Sequence, residues 1–358
     1  MKSSQSTGEV LKKLLQIRSL PRRESELAGL LSQELNGLGL AVKRDGASKK
    51  IGGDADNILA RVDPSAEGGT LLLAHMDNIA SSPENLPAHQ DGYLYNRSQG
   101  AFGADDMAGI SLILSLLHGR QKKLPPNLGV AFTVAEELGL LGAAVLPGEF
   151  VRKFDSVLVL DGEAPAGTIY HSEPAAGFFA LTLSHSSPGS KLTSRQKILL
   201  RRIRHCWVKS EDSPVSQLIS GPLPAWRMLQ EEILIVGIRG SDVQAIKRRW
   251  QKRLKEIKRY FGIRGEDISH KILHTCSGFS LDASSGWLYD LIQAFRQSAL
   301  EVDLCSSDNI SEADRINEMG VEAVNLGLGL SAAHTDRERI DLSSLQRLTD
   351  VLERYLLG

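Results

Sequence analysis

"LLLAHMDNIA", residues 71–80, runs as an apolar strand until its end, where His75 and Asp77 appear two residues apart. Side chains alternate faces along a strand, so both groups reach the same place at its C-terminal end. In α/β sheets that edge is where ligands and chemistry gather. Taken alone, the pair is as much at home as a solvated strand end. What decides is how many chemically capable residues the other strands bring to the same edge.

Working outward, "NILARV" (57–62), "LGVAFTVA" (128–135) and "SVLVL" (156–160) are further short β-rich runs, and "DDMAGISLILSLLHG" (105–119) between them reads as a helix. "TGEVLKKLLQI" and "RRESELAGLLSQELNGLG" place apolar residues at helical spacing near the N-terminus, the second ending at glycines suited to a C-cap. Strands interleaved with helices imply an α/β sheet buried on both faces. After Asp161 the texture changes. "GTIYHSE", "GFFALTLSH" and "EEILIVGIRG" read as strands and "TSRQKILLRRIRHCW" as a helix. "SDVQAIKRRWQKRLKEIKRYFGI" is an amphipathic helix with Ser241 as expected N-cap and Val243, Ile246, Trp250, Leu254, Ile257 and Phe261 on one face. The first texture returns in "SSGWLYDLIQAFRQSAL" and "EAVNLGLG". The expected organisation is a discontinuous α/β parent domain, residues 1–166 and 284–358, interrupted by an inserted α+β domain, residues 167–283.

The chain has 358 residues, enough for two domains, and a net charge of -1, which gives no global reason to expect nucleic acid or an anionic membrane as partner. Basic residues do outnumber acidic ones between Lys191 and Arg264, and the basic face of the helix at 241–263 is most simply a solvated surface. Three cysteines without CxxC spacing fit reduced thiols, and no apolar run reaches the roughly 18–20 residues of a membrane span. With no signal-peptide pattern at the start, a cytoplasmic protein is expected.

Four further signals lie at strand ends of the parent domain: Asp105-Asp106 in "GADDMAGI", Glu136-Glu137 in "VAEELGLLGA", Asp161 in "VLVLDGE", and His334 after "LGLGLSAA". Each alone has an ordinary explanation, since acids complement helix N-termini and are usually solvated near strand ends. Together they supply two histidines and several carboxylates, the nitrogen and oxygen set that zinc accepts, and a pair of such ions can share one carboxylate.

In this order, His-x-Asp, Gly-Ala-Asp-Asp, Glu-Glu-x-Gly-x-x-Gly-Ala, Leu-Asp-Gly and a late His, the chain resembles the co-catalytic zinc metallopeptidase family of peptidase T, succinyl-diaminopimelate desuccinylase and the carboxypeptidase G-type enzymes. The resemblance runs essentially end to end. It implies a zinc-exopeptidase-like catalytic domain with a mixed central sheet flanked by helices, and an inserted lid or dimerisation domain. It further implies two divalent ions, zinc with cobalt or manganese as alternatives. Asp105 would bridge them, with His75 and Asp161 completing one ion and Glu137 and His334 the other. The peptide bond after Asp105 would be cis, Asp77 would accept a hydrogen bond from the His75 ring, and Glu136 would be the general base. Asp161, where other branches carry Glu, favours aminopeptidase action on short peptides, and a homodimer through the lid is expected. Arg239 in "GIRGSDV" is a candidate for the peptide carboxylate, against the alternative of a solvated strand end. The lid segment "LSHSSPGSK" holds Ser187 where relatives carry a His, with His185 nearby, and Asn309–Asp314 lacks the glycines usual there. An N-acyl-amino-acid amidohydrolase on the same site, or a non-catalytic relative binding an acidic partner through the basic insert, are the alternative readings.

Overall fold

The apolar runs become strands because they are rich in leucine, valine and isoleucine and are bounded by glycine, proline and aspartate. The computed structural model describes residues 6–79, 86–98, 100–119, 123–183, 233–262, 268–307 and 309–357, with single positions at 194, 198 and 199. The strands are β1 (Ala41–Arg44), β2 (Ile58–Arg61), β3 (Thr70–His75), β4 (Pro87–Gln90), β5 (Tyr93–Asn96), β6 (Gly129–Thr133), β7 (Ser156–Glu163) and β8 (Thr168–Glu173). They continue with β9 (Ala175–Leu183), β10 (Ile233–Gly240), β11 (Ile268–Cys276), β12 (Phe279–Ser280), β13 (Asp303–Ser306), β14 (Glu322–Ser331) and β15 (Arg339–Asp341). The helices are α1 (Thr7–Leu14), α2 (Ser25–Gly37), α3 (Ala47–Ile51), α4 (Ala104–Gly119), α5 (Leu141–Val145) and α6 (Gly148–Val151), then α7 (Val243–Phe261), α8 (Gly286–Gln297), α9 (Glu312–Glu318) and α10 (Leu342–Leu357). Among the described residues no helix is long and apolar enough to cross a membrane.

Two compact units result, one of residues 1–173 and 280–358, the other of residues 174–279. In the first, the large mixed sheet runs β1-β2-β6-β3-β7-β14-β15-β5-β4. Its middle positions the site. β3 pairs in parallel with both β6 and β7, and β7 in parallel with β14, so four adjacent strands end at one edge. Every residue of β3 and β6 is buried, as expected of strands covered on both faces. α4, apolar nearly all round, packs on β3, β7 and β14, and α1 and α10 pack on α4. α9, α5 and α3 form a second group of touching helices, with α9 against β7 and β14.

The second unit has its own core. β9 lies between antiparallel β10 and β11, and α7 covers β9 and β10 with Ile246, Trp250, Leu254 and Ile257. Trp250 stacks on Phe179 with ring centroids 4.5 Å apart. The N-cap of α7 is Asp242 and not Ser241: the Asp242 carboxylate accepts from the Ala245 amide at 2.7 Å, while the Ser241 hydroxyl donates to that same carboxylate. A charged acceptor displaces the neutral hydroxyl at the positive end of a helix. The expected helix at 193–207, His185 and Ser187 lie outside the described residues, save positions 194, 198 and 199.

Candidate metal centre

His75 ends β3. The register pairs His75 with Thr133 of β6 and Leu73 with Val159 of β7, so two residues further along His75 comes beside Asp161. Its ring is oriented from behind: Nδ1 lies 2.9 Å from the Asp77 carbonyl oxygen. That bond leaves Nε2 facing forward. There it meets Asp105 Oδ1 at 3.0 Å, Asp161 Oδ1 at 3.6 Å and Glu136 Oε2 at 3.9 Å. On the other side His334 Nε2 meets Asp105 Oδ2 at 2.9 Å and Glu137 Oε1 at 2.7 Å. Asp105 thus offers one carboxylate oxygen to each histidine.

The Asp77 carboxylate does something the sequence did not indicate. It stands 3.5 Å from His75 Nδ1, but accepts the amide hydrogens of Glu136 and Glu137 at 2.9 and 3.1 Å. The ring is therefore held chiefly by the backbone carbonyl, and the carboxylate holds the turn that carries both glutamates. Glu24 extends this support: its carboxylate accepts from the amides of Ala135 and Arg22 at 3.1 and 2.7 Å. The turn itself, a 3-10 helix of Glu136–Leu138, lies between Ala135 and Leu140, both in the left-handed region at φ 52° and 58°. His334 lies there too, at φ 65°. Non-glycine residues in that region cost on the order of 1–3 kcal/mol each and concentrate at functional sites.

Asp105 and Asp106 lie at the start of α4 with non-helical dihedrals, and the peptide bond between them is cis, as the resemblance implied. Asp106 points backward: its carboxylate accepts from the His75 amide at 3.2 Å and from the Gly109 amide at 2.9 Å, which caps the helix. Among the described residues two sets of atoms lie within mutual reach of one cation, those of His75, Asp105 and Glu137 and those of His75, Asp106 and Asp161. Asp106 is the weaker donor of the second set, because its oxygens already serve backbone amides. Arg239 belongs to the other unit, where it sits on β10 opposite Ala176 with its side chain buried, not solvated.

So many acids in a buried place disturb one another. Burial, then the negative charge of Asp105, raises the Asp161 carboxyl to about 7. Burial raises Glu137 to about 7 against the opposing charge of His334, and burial pushes Glu136 well up against the opposing charge of His75. Asp105 is held low in spite of its burial, by hydrogen bonds from His334 and His75. Both histidines are pushed well up, against burial, by the carboxylates around them. Glu137 Oε1 and His334 Nε2 face each other at 2.7 Å. With the imidazole neutral, a carboxylate oxygen and a ring lone pair so placed fit a shared cation. Imidazole nitrogens and carboxylate oxygens are the donor set of zinc and its first-row neighbours, so the residues present fit a pair of divalent ions.

Glu24, Glu312 and Glu338 are functional neighbours that sequence reasoning missed. Glu312 accepts from Thr133 Oγ1 at 2.9 Å beneath the site, and its carboxyl is raised by burial to about 8. Glu338 accepts from the amides of Phe102, Ala104 and Asp105. Glu312 falls in the Asn309–Asp314 stretch, read in the sequence only for its missing glycines; neither Glu24 nor Glu338 sits in a spacing that marks it, although "HTDRE" puts Glu338 four residues after His334.

Comparison with known proteins agrees with the geometry. The chain is 22% identical over 354 residues to the Bacillus subtilis (strain 168) protein YqjE, covering 95% of this chain and 94% of that one. A tripeptidase from Staphylococcus aureus superposes with a TM-score of 0.70 at 22% identity, covering 98% of this chain and 96% of the other. Aminopeptidase PepT from Bacillus cereus gives 0.68 at 19%, covering 98% and 97%. At these identities the structures establish a common fold. The model of peptidase family M20/M25/M40 matches residues 71–358, four-fifths of the sequence, and the chain belongs to that family.

Proposed function

We propose that the protein hydrolyses short peptides bearing a free N-terminus, with two dications held by His75 and Asp161, by Glu137 and His334, and by Asp105 between them. The observation that carries this reading is Asp105, whose two oxygens face one histidine each at 3.0 and 2.9 Å, the arrangement of a carboxylate shared between two cations. When bound, the ions, zinc foremost with cobalt or manganese as alternatives, supply the Lewis acidity that polarises a scissile carbonyl and acidifies a water.

Glu136 is the base. It sits beside the proposed ligands, and among the described residues no histidine is at bonding distance, since His75 Nε2 is 3.9 Å away. Its carboxylate takes a proton from the water whose oxygen adds to the scissile carbonyl carbon. It then delivers that proton to the amide nitrogen as the C–N bond breaks. Asp77 acts through the backbone, since its bonds to the Glu136 and Glu137 amides keep one glutamate for the proton and the other for the metal. The His75 Nδ1 bond to the Asp77 carbonyl keeps Nε2 free to donate its lone pair.

Asp161 supports the aminopeptidase form, as does the likeness to a tripeptidase and to aminopeptidase PepT. The test is a tripeptide and its N-acetylated counterpart, assayed with zinc-, cobalt- or manganese-loaded protein. Cleavage of the free peptide alone is expected. Equal rates would assign the site to N-acyl-amino-acid amidohydrolysis, and no cleavage by metal-loaded protein would favour a binding role. The resemblance also carries a second copy of this chain as partner, expected as a dimer in light scattering.

A further inference from the structure

We propose that Glu338 is a positioning residue that sets Asp105 between the two histidines and thereby governs how tightly the centre holds its cations. This rests on the two-metal reading of the site. Glu338 is 2% exposed and follows His334 by four residues. Its Oε2 accepts from the Phe102 amide at 2.9 Å, and its Oε1 accepts from the amides of Ala104 and Asp105 at 2.7 and 3.3 Å. Three of the four amides in the segment delivering Asp105 therefore converge on one carboxylate. The carboxylate that gathers this segment lies more than 230 residues away in the chain.

The consequence is geometric. Asp105 must present one oxygen to each side, and the orientation of its carboxylate follows from the backbone that carries it. Glu338 also belongs to the loop that carries His334, so one side chain ties two ligand-bearing loops together across the sheet edge. Glu338 itself is absent from both described groups of atoms that could share a cation. Its role is to orient, and it does so with both oxygens. Glutamine could keep one acceptor, but would turn an NH2 group toward the amides on the other side, setting donor against donor.

The experiment uses the full chain stripped of metal by a chelator and titrated with cobalt, followed by the visible cobalt spectrum and by competition with a chelator of known affinity. Variants are Glu338→Gln, Glu338→Asp and, as comparison, Glu173→Gln. Glu173 is equally buried and bonded to the amide and hydroxyl of Ser311, away from the Phe102–Asp105 segment. Glu338→Gln is expected to weaken cobalt binding about 10- to 100-fold, the usual loss when a ligand's supporting partner is removed. Glu338→Asp, which keeps the charge but falls one methylene short, should lie between it and the parent, and Glu173→Gln should match the parent. Unchanged affinity and spectrum in Glu338→Gln overturn the proposal. So does an equal loss in Glu173→Gln, which would reveal a general effect of removing a buried carboxylate. Circular dichroism of the stripped proteins checks folding; if Glu338→Gln does not fold, Glu338→Asp decides, and parent-like affinity there overturns the proposal. A parent protein that binds no cobalt fails the two-metal reading and this proposal together, whereas a parent that binds beside an unaltered Glu338→Gln fails this proposal alone.

Discussion

Glu136 and Glu137 are neighbours in sequence, and the turn that carries them sends them to different partners. Glu137 Oε1 is 2.7 Å from His334 Nε2, whereas Glu136 Oε2 is 3.9 Å from His75 Nε2. The two should therefore fail in different ways when changed to glutamine. Glu136→Gln should keep full metal content and lose on the order of 10² to 10⁴ in kcat, because the amide cannot take a proton from water. Glu137→Gln should lose metal affinity, and activity should return in part as zinc is added. Metal analysis beside turnover separates the two, and near-normal kcat in metal-loaded Glu136→Gln would remove it from the role of base. The motif Glu-Glu was visible in the sequence. The support behind it was not, because the Asp77 and Glu24 carboxylates reach the turn from 59 and 111 residues away.

Among the elements, the site depends on how closely α4 lies on β7. Gly109 makes that approach possible: a Cβ there would stand 2.1 Å from the Leu160 carbonyl oxygen and 2.5 Å from Asp106 Oδ1. Neither can yield cheaply, since Leu160 immediately precedes Asp161 in β7 and Asp106 caps the helix that begins beside Asp105. Gly109→Ala should cost about 1–3 kcal/mol of stability, the usual effect of overpacking a close contact. It should also lower metal affinity by shifting Asp105 from Asp161. Urea unfolding and a zinc titration check both, and a variant as stable as the parent with unchanged affinity would show that α4 can move without disturbing the site. β1, β4, β5, β11, β12, β13 and β15 went unread in the sequence, whereas β2, β3, β6, β7, β8, β9, β10, β14 and α4 were legible from apolar runs and periodicity. Their order in the sheet was not, because strand order depends on pairings such as β3 with β7 that join residues more than 80 positions apart.

For the molecule as a whole, the gathering of buried carboxylates makes stability depend on pH. Burial, opposed by hydrogen bonds from Ser311, raises Glu173 from 4.5 to about 8. The folded state thus keeps a proton that the unfolded chain releases above about 4.5, so this contribution is whole below that pH and is lost as pH rises through about 8. Urea midpoints of chelator-treated protein should fall between pH 5 and pH 8, and Glu173→Gln, with no proton to lose, should show a shallower fall. An equal slope in both would place the Glu173 carboxyl near its ordinary value in the folded protein. What the sequence by itself determined was the α/β class, the family, and which histidines and acids stand at strand ends, because these follow from short-range periodicity and from motifs a few residues long. Tertiary structure alone decided that four parallel strands end side by side, that Asp105 turns one oxygen to each histidine, and that Asp77, Glu24 and Glu338 hold the backbone behind them. Such contacts join segments far apart in the chain, and a carboxylate that serves distant amides leaves no local pattern by which to recognise it.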